Sequence, residues 1–154
     1  MSEELERLNE IASLFKRINS KLMLIELLDN AKEAYDEYDF ESGKSALTEA
    51  LKLDSQNPVT LRGLGCFEQY DGNFEEAINY YKQALEFSNH KEIEYTLLGT
   101  AYYLLDKLDE AVENFNLAID CNENYTKAYE GRNQALLENH LKIVDLQEAL
   151  KKYF

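Results

Sequence analysis

At 154 residues, 45% of them hydrophobic, the chain is long enough to bury a domain-sized core, which excludes a globally disordered protein. Its formal net charge of −14, from 30 acidic and 16 basic residues, disfavours nucleic acid and anionic membranes as partners and favours a basic or neutral protein. One proline and six glycines leave room for long uninterrupted helices.

The chain begins Met1-Ser2-Glu3-Glu4, acidic where a secretory leader is basic, and no leader-like apolar stretch follows. The densest apolar run, Leu22 to Leu28, is interrupted by Glu26 and is too short to span a bilayer. A cytoplasmic protein is expected. Residues 1–20 carry Leu5, Leu8, Ala12, Phe15 and Ile18 at helical spacing, with Glu4, Glu6, Arg7, Glu10, Lys16 and Arg17 opposite, so an amphipathic helix is predicted. Asn19-Ser20 is expected to break or cap it.

Three units of 34 residues follow, at 24–57, 58–91 and 92–125. Small residues recur at position 8 (Ala31, Gly65, Gly99), position 20 (Gly43, Ala77, Ala111) and position 27 (Ala50, Ala84, Ala118). Large ones recur at positions 17 and 24 (Phe40/Leu47, Phe74/Tyr81, Leu108/Phe115). A period of about 34 is the length of a helix–turn–helix unit. Small side chains let two helix axes approach to about 8–10 Å where they cross, and the large ones fill the space between, so both sets are core.

Turn chemistry agrees with these boundaries. Asn57-Pro58 supplies a cap followed by a first-turn proline, and Asp71-Gly72-Asn73 supplies a residue tolerant of left-handed backbone at a helix end. Tyr38 and Asp106 stand at the equivalent places, where a left-handed non-glycine costs about 1 kcal/mol. No proline stands near position 32 of any unit, so loose inter-repeat turns are expected. Residues 126–154 read as a capping segment of one helix or two, because Asn133 and Asp145 fall where small residues belong. Glu130, Arg132, Glu138 and Lys142 suit a solvent-facing end, whereas Leu141, Val144, Leu150, Tyr153 and Phe154 predict docking on the domain or on a partner.

Leu61-x2-Leu64-Gly65 with Ala77-x3-Tyr81, and Tyr95-x2-Leu98-Gly99-x2-Tyr102 with Ala111-x3-Phe115, resemble the tetratricopeptide repeat; the first unit is a degenerate copy. The resemblance implies an all-α, right-handed superhelical solenoid of antiparallel helix pairs. It also implies an interaction module, an adaptor or scaffold that holds a peptide segment on its concave face. Family positions carried over to this chain place Lys32 and Tyr35 on that face, with Arg62, Cys66, Gln69 and Tyr70 from the second unit. Thr96, Thr100 and Tyr103 follow from the third and Lys127 from the cap. Tyrosine and arginine are frequent binding hot spots. Ile25, Val59 and Ile93 also map there and serve packing between neighbouring helices equally well.

Family members that clamp the terminal carboxylate of chaperone tails need lysine, asparagine and arginine where this chain has Leu28, Lys32, Gly63, Ile93 and Leu97, so no such clamp is expected. An alternative is a class II chaperone of type III secretion, which Leu61-Arg62-Gly63-Leu64-Gly65-Cys66 and the acidic pI near 4.5 resemble. Another is self-assembly, in which the Leu5–Phe15 stripe pairs with its copy in a homodimer or folds into the groove.

Catalytic patterns are missing from the sequence. His90 and His140 lack a nucleophile or acid partner, and Cys66 and Cys121 match neither a zinc nor a redox spacing. Asp71, Asn73 and Glu75 imitate a calcium loop that fails at Glu76 and Lys82. Glu75-Glu76 and Asp109-Glu110 suit positive helix ends. With no leader expected, Asn124-Tyr125-Thr126 reads as an accidental sequon. No enzymatic activity, metal or cofactor is expected.

Overall fold

Seven helices account for nearly all of residues 2–153, which the computed structural model describes, and no strand occurs among those residues. They are α1 (Ser2–Asp36), α2 (Phe40–Leu53), α3 (Pro58–Tyr70), α4 (Phe74–Phe87), α5 (Lys91–Leu104), α6 (Leu108–Cys121) and α7 (Thr126–Tyr153). Each packs on the next in chain order, and α1 also reaches α3 while α5 reaches α7. The result is an all-α solenoid of three helical hairpins closed by α7. No helix among the described residues is long and apolar enough to cross a membrane.

The hairpins turn where the backbone becomes left-handed. Tyr38 (φ 62°), Gly72 (φ 83°) and Asp106 (φ 63°) stand one repeat apart. In each case the following amide donates back across the helix end: Asp39 to the Ala34 carbonyl (2.8 Å), Asn73 to Glu68 (2.8 Å) and Lys107 to Tyr102 (2.9 Å). That is the Schellman closure, repeated three times. The two non-glycines bear the strain and gain contacts. The Tyr38 ring stands edge-on to Phe40, and the Asp106 carboxylate pairs with Lys142 of α7. Gly72→Ala is expected to cost about 1 kcal/mol in urea unfolding. Nothing lies within 4 Å of the added Cβ, so the cost would be one of backbone conformation alone.

The inter-hairpin turns are tied, contrary to the looseness expected from the missing prolines. Asp54, Ser88 and Asn122, again one repeat apart, each accept a backbone N–H two residues on, from Gln56, His90 and Asn124, all at 3.1 Å. These local side-chain bonds fix the turn without proline. Asn57 adds a cap to α3, accepting from the amides of Val59 (3.1 Å) and Thr60 (3.0 Å).

Between the helices lie the large residues at position 24. Tyr81 is 0% and Phe115 2% exposed, and each rests against a glycine of its own hairpin. A Cβ on Gly65 would fall 2.5 Å from the Tyr81 ring, and one on Gly99 2.8 Å from Phe115. Ala50, Ala84 and Ala118 are completely buried where successive hairpins meet.

Both terminal helices depart from the sequence reading. α1 runs unbroken through Asn19-Ser20, because the Ser20 hydroxyl donates to the Lys16 carbonyl (3.0 Å) inside the helix instead of capping a new one. Its C-terminal part packs through Ala31 and Ala34, while residues 3–19 are exposed throughout. α7 is one helix whose first half packs on α6 as an A helix does, with Ala128 and Ala135 buried. Asn133 has no second helix of its own hairpin to face; the close approach to the preceding hairpin is made by Gly131, at the position of Gly63, where a Cβ would fall 2.4 Å from the Phe115 ring. The second half touches the domain through Lys142, which pairs with Asp106, but its apolar residues do not dock as expected: Leu141 and Leu150 stay exposed and Val144 is half-buried. Phe154 and the side chain of Tyr153, part of that expectation, lie outside the described residues, as does Met1.

Candidate functional site

An open pocket of about 260 Å³ lies between α1 and α3. α1 contributes Leu28, Ala31, Lys32 and Tyr35, α2 contributes Leu47, and α3 contributes Val59, Gly63, Cys66 and Phe67. The walls are almost entirely carbon. Gly63 opens the pocket, since a Cβ there would sit 2.7 Å from the Leu47 methyl. Lys32 is exposed at the edge. Tyr35 makes edge-on contacts with Phe67 (5.5 Å between centroids) and Phe40 (6.3 Å), and partial burial pushes its phenol pKa up.

The polar groups beside the pocket are quiet. The Tyr81 hydroxyl can donate to the Cys66 sulfur (3.6 Å) or to Gln69 Oε1 (3.3 Å). Burial raises the Cys66 thiol pKa and outweighs the lowering effects of the Tyr81 bond and of Arg62. A thiol so placed stays protonated and is a poor nucleophile near neutral pH. Iodoacetamide at pH 8 is therefore expected to label the exposed Cys121 about tenfold or more faster than Cys66, as read by peptide mass mapping.

Three of the ten residues carried over from the family pattern, Lys32, Tyr35 and Cys66, meet in this pocket, with Gln69 adjacent through Tyr81. The others have different surroundings. Arg62 donates from Nε (2.9 Å) and Nη2 (2.6 Å) to Glu94 Oε1, and Glu94 is 0% exposed. Ser88 donates to the second carboxylate oxygen at 3.1 Å. The arginine charge is thus committed to the packing of α3 on α5. Tyr70 stacks on Phe40 with centroids 4.1 Å apart. Thr96 is buried, and the hydroxyls of Thr96 and Thr100 bond to backbone carbonyls within α5. Tyr103 ties α5 to α7, donating to Glu138 (2.5 Å) and accepting from Gln134 (3.2 Å); the Glu138 bond raises its pKa. Lys127 is exposed on the first turn of α7.

Glu94 escaped the sequence reading. Residues about one repeat apart lie side by side on neighbouring A helices, so a search for opposite charges at that separation would have paired it with Arg62. Among the described residues no three His, Cys, Asp or Glu side chains gather in a group that could hold a metal ion.

The tetratricopeptide repeat family model matches residues 63–90 and 95–125, the segments that carry the glycine–ring pairs described above. Both segments are tetratricopeptide repeats. Over 146 residues, 94% of its length, the chain is 29% identical to RNA polymerase II-associated protein 3 of Homo sapiens. The Rattus norvegicus protein of that name is also 29% identical over 146 residues. The chain spans about one fifth of these relatives, 21% and 22% of their lengths. Among solved structures, the first such domain of Spaghetti, bound to the HSP90 peptide SRMEEVD, superposes with a TM-score of 0.71 at 16% identity, covering 77% of this chain and 94% of that one. The Arabidopsis OM64 domain gives 0.72 at 18% identity, covering 77% and 98%. These likenesses show the fold. The pocket straddles the boundary of the family match, with α1 outside it and most of the pocket-lining part of α3 inside.

Proposed function

We propose that the chain is a cytoplasmic, non-enzymatic adaptor that holds a segment of another protein on its concave face, with an apolar side chain seated between α1 and α3. The observation that carries this reading is the preformed carbon-walled pocket with Lys32 at its edge. A concave apolar site with few polar groups is the usual form of a ligand pocket, and its rigidity lowers the entropic cost of binding. The relatives support the class of ligand: the Spaghetti domain was solved with an HSP90 peptide, and the second domain of human RPAP3 with the HSP70 peptide SGPTIEEVD. The mode of binding differs here. Of the five clamp positions only Lys32 offers a charge, whereas Leu28, Gly63, Ile93 and Leu97 offer neither charge nor amide to a terminal carboxylate, so the anchor is an internal apolar side chain, and the net charge of −14 favours a neutral or basic segment around it.

Two probes test the proposal. Fluorescent SRMEEVD with a free and with an amidated C-terminus should bind equally weakly, within about twofold; a tenfold preference for the free acid, about 1.4 kcal/mol, would restore the clamp. Nonapeptides selected from a random display library should share an aliphatic or aromatic residue and shift amide resonances in 28–35 and 59–67. They should also lose about tenfold or more in affinity when the half-exposed Val59 is changed to aspartate. Failure to select any peptide, or shifts centred on another part of the solenoid, would overturn the reading.

A further inference from the structure

The overhanging half of α1 carries a stricter pattern than an amphipathic face requires. Leu8, Phe15 and Leu22 recur every seven residues, and Ile11, Ile18 and Ile25 stand three residues after them. All six are exposed, between 49% for Ile11 and 62% for Leu8. A sustained repeat of 3.5 residues is the period of a coiled-coil seam, with these residues at its two core sites. Glu4 takes the preceding core site and Asp29 the following one, so the seam is bounded on both sides.

This solenoid does not cover its own seam. The packed part of α1 uses Ala31 and Ala34, on the opposite side of the helix when the heptad is continued, together with Leu28 at a flanking position, and leaves residues 8–25 of the seam uncovered. The seam residues span roughly 27 Å of helix at 1.5 Å per residue.

Side-chain identity selects the occupant. We infer that the N-terminal half of α1 joins four copies of this chain in a parallel coiled coil. Leucine at the first core site with isoleucine at the second shifts parallel coils from two strands toward three or four, and here the first site is Leu, Phe, Leu and the second Ile, Ile, Ile. The flanking positions agree. Leu5, Ala12 and Leu14 widen the apolar face beyond the two core sites, and Leu5 and Leu14 are 60% and 45% exposed. A two-stranded coil leaves such flanks wet, whereas a four-helix bundle covers them. Charge is compatible with a parallel arrangement: Lys21 then meets Glu26 of its neighbour, an opposite-charge pair, and Arg7 meets Ala12. The assembly requires no peptide in the groove, although its last core site, Ile25, also maps to the concave face beside the pocket.

Sedimentation equilibrium of the full chain at micromolar concentration tests the inference, and the expected mass is four times 17.9 kDa. Ile18→Asp should reduce it to a single chain, with helicity and the unfolding transition of the solenoid retained, because residue 18 lies outside the solenoid core. Ser13→Asp, on the outer face of the helix, should leave the assembly intact. Exchanging the core types (Leu8→Ile and Leu22→Ile with Ile11→Leu, Ile18→Leu and Ile25→Leu) should move the mass toward two chains. With Cys121 changed to serine, Leu8→Cys copies should crosslink on oxidation, and failure to do so would overturn the parallel arrangement. A monomeric or dimeric wild-type chain, or a tetramer indifferent to Ile18→Asp, would overturn the inference.

Discussion

Phe115→Ala is expected to destabilise the protein by about 3–5 kcal/mol, read as a lower urea midpoint and a melting temperature lower by roughly 10 °C. Phe115 is 2% exposed and serves two interfaces at once. Its ring fills the space left by Gly99 in its own hairpin and by Gly131 in α7, so truncation opens a void with bare backbone on both sides. Glycines have no side chain to move inward, so the cavity cannot collapse, which places the cost toward the upper end of the range. Because Phe115 joins α7 to the stack, its loss should also release α7, visible as faster amide exchange from Ala128 to Ala135 than in α3 and α4. Equal protection across the chain would contradict the role assigned to this ring.

Arg62→Met is expected to cost a similar 3–5 kcal/mol, since it leaves the fully buried Glu94 carboxylate with only the Ser88 hydroxyl. Methionine keeps the apolar stem, so the loss reports the missing charge rather than missing bulk. The double change Arg62→Met with Glu94→Leu should regain most of the loss in urea unfolding, because no uncompensated ion remains. A single variant as stable as the parent would show that the pair does not hold α3 to α5. The result also separates two roles for Arg62. A residue committed to Glu94 should alter stability and leave the peptide affinity of the folded molecule unchanged, whereas a groove residue would do the reverse.

Legibility in the sequence followed the repeat. Tyr38, Gly72 and Asp106 were readable as one position before any coordinates, and all three are left-handed. Asp54, Ser88 and Asn122 were equally periodic, but their chemistry differs in name (carboxylate, hydroxyl, amide), and the shared bond to the second amide on was visible only in three dimensions. Of the residues carried over to the concave face, Lys32, Tyr35 and Cys66 line one pocket, because neighbouring A helices lie side by side. Arg62 and Thr96 sit on the same pattern and are drawn into packing, since a face pattern gives direction but not depth.

The amino-acid sequence by itself determined the period, the small–large alternation of the core, the turn positions and the seven-residue seam of α1. Each of these is a local property, set by side-chain size, backbone tolerance or spacing along one helix. Tertiary structure alone decided what contacts join one repeat to the next. It gave Arg62 to Glu94, set Gly131 against Phe115, opened a pocket beneath Lys32 and left both terminal helices overhanging. Those outcomes depend on how far one helix slides along another. A displacement of one turn exchanges the residues that meet without altering the periodic pattern, so the repeat alone does not specify them.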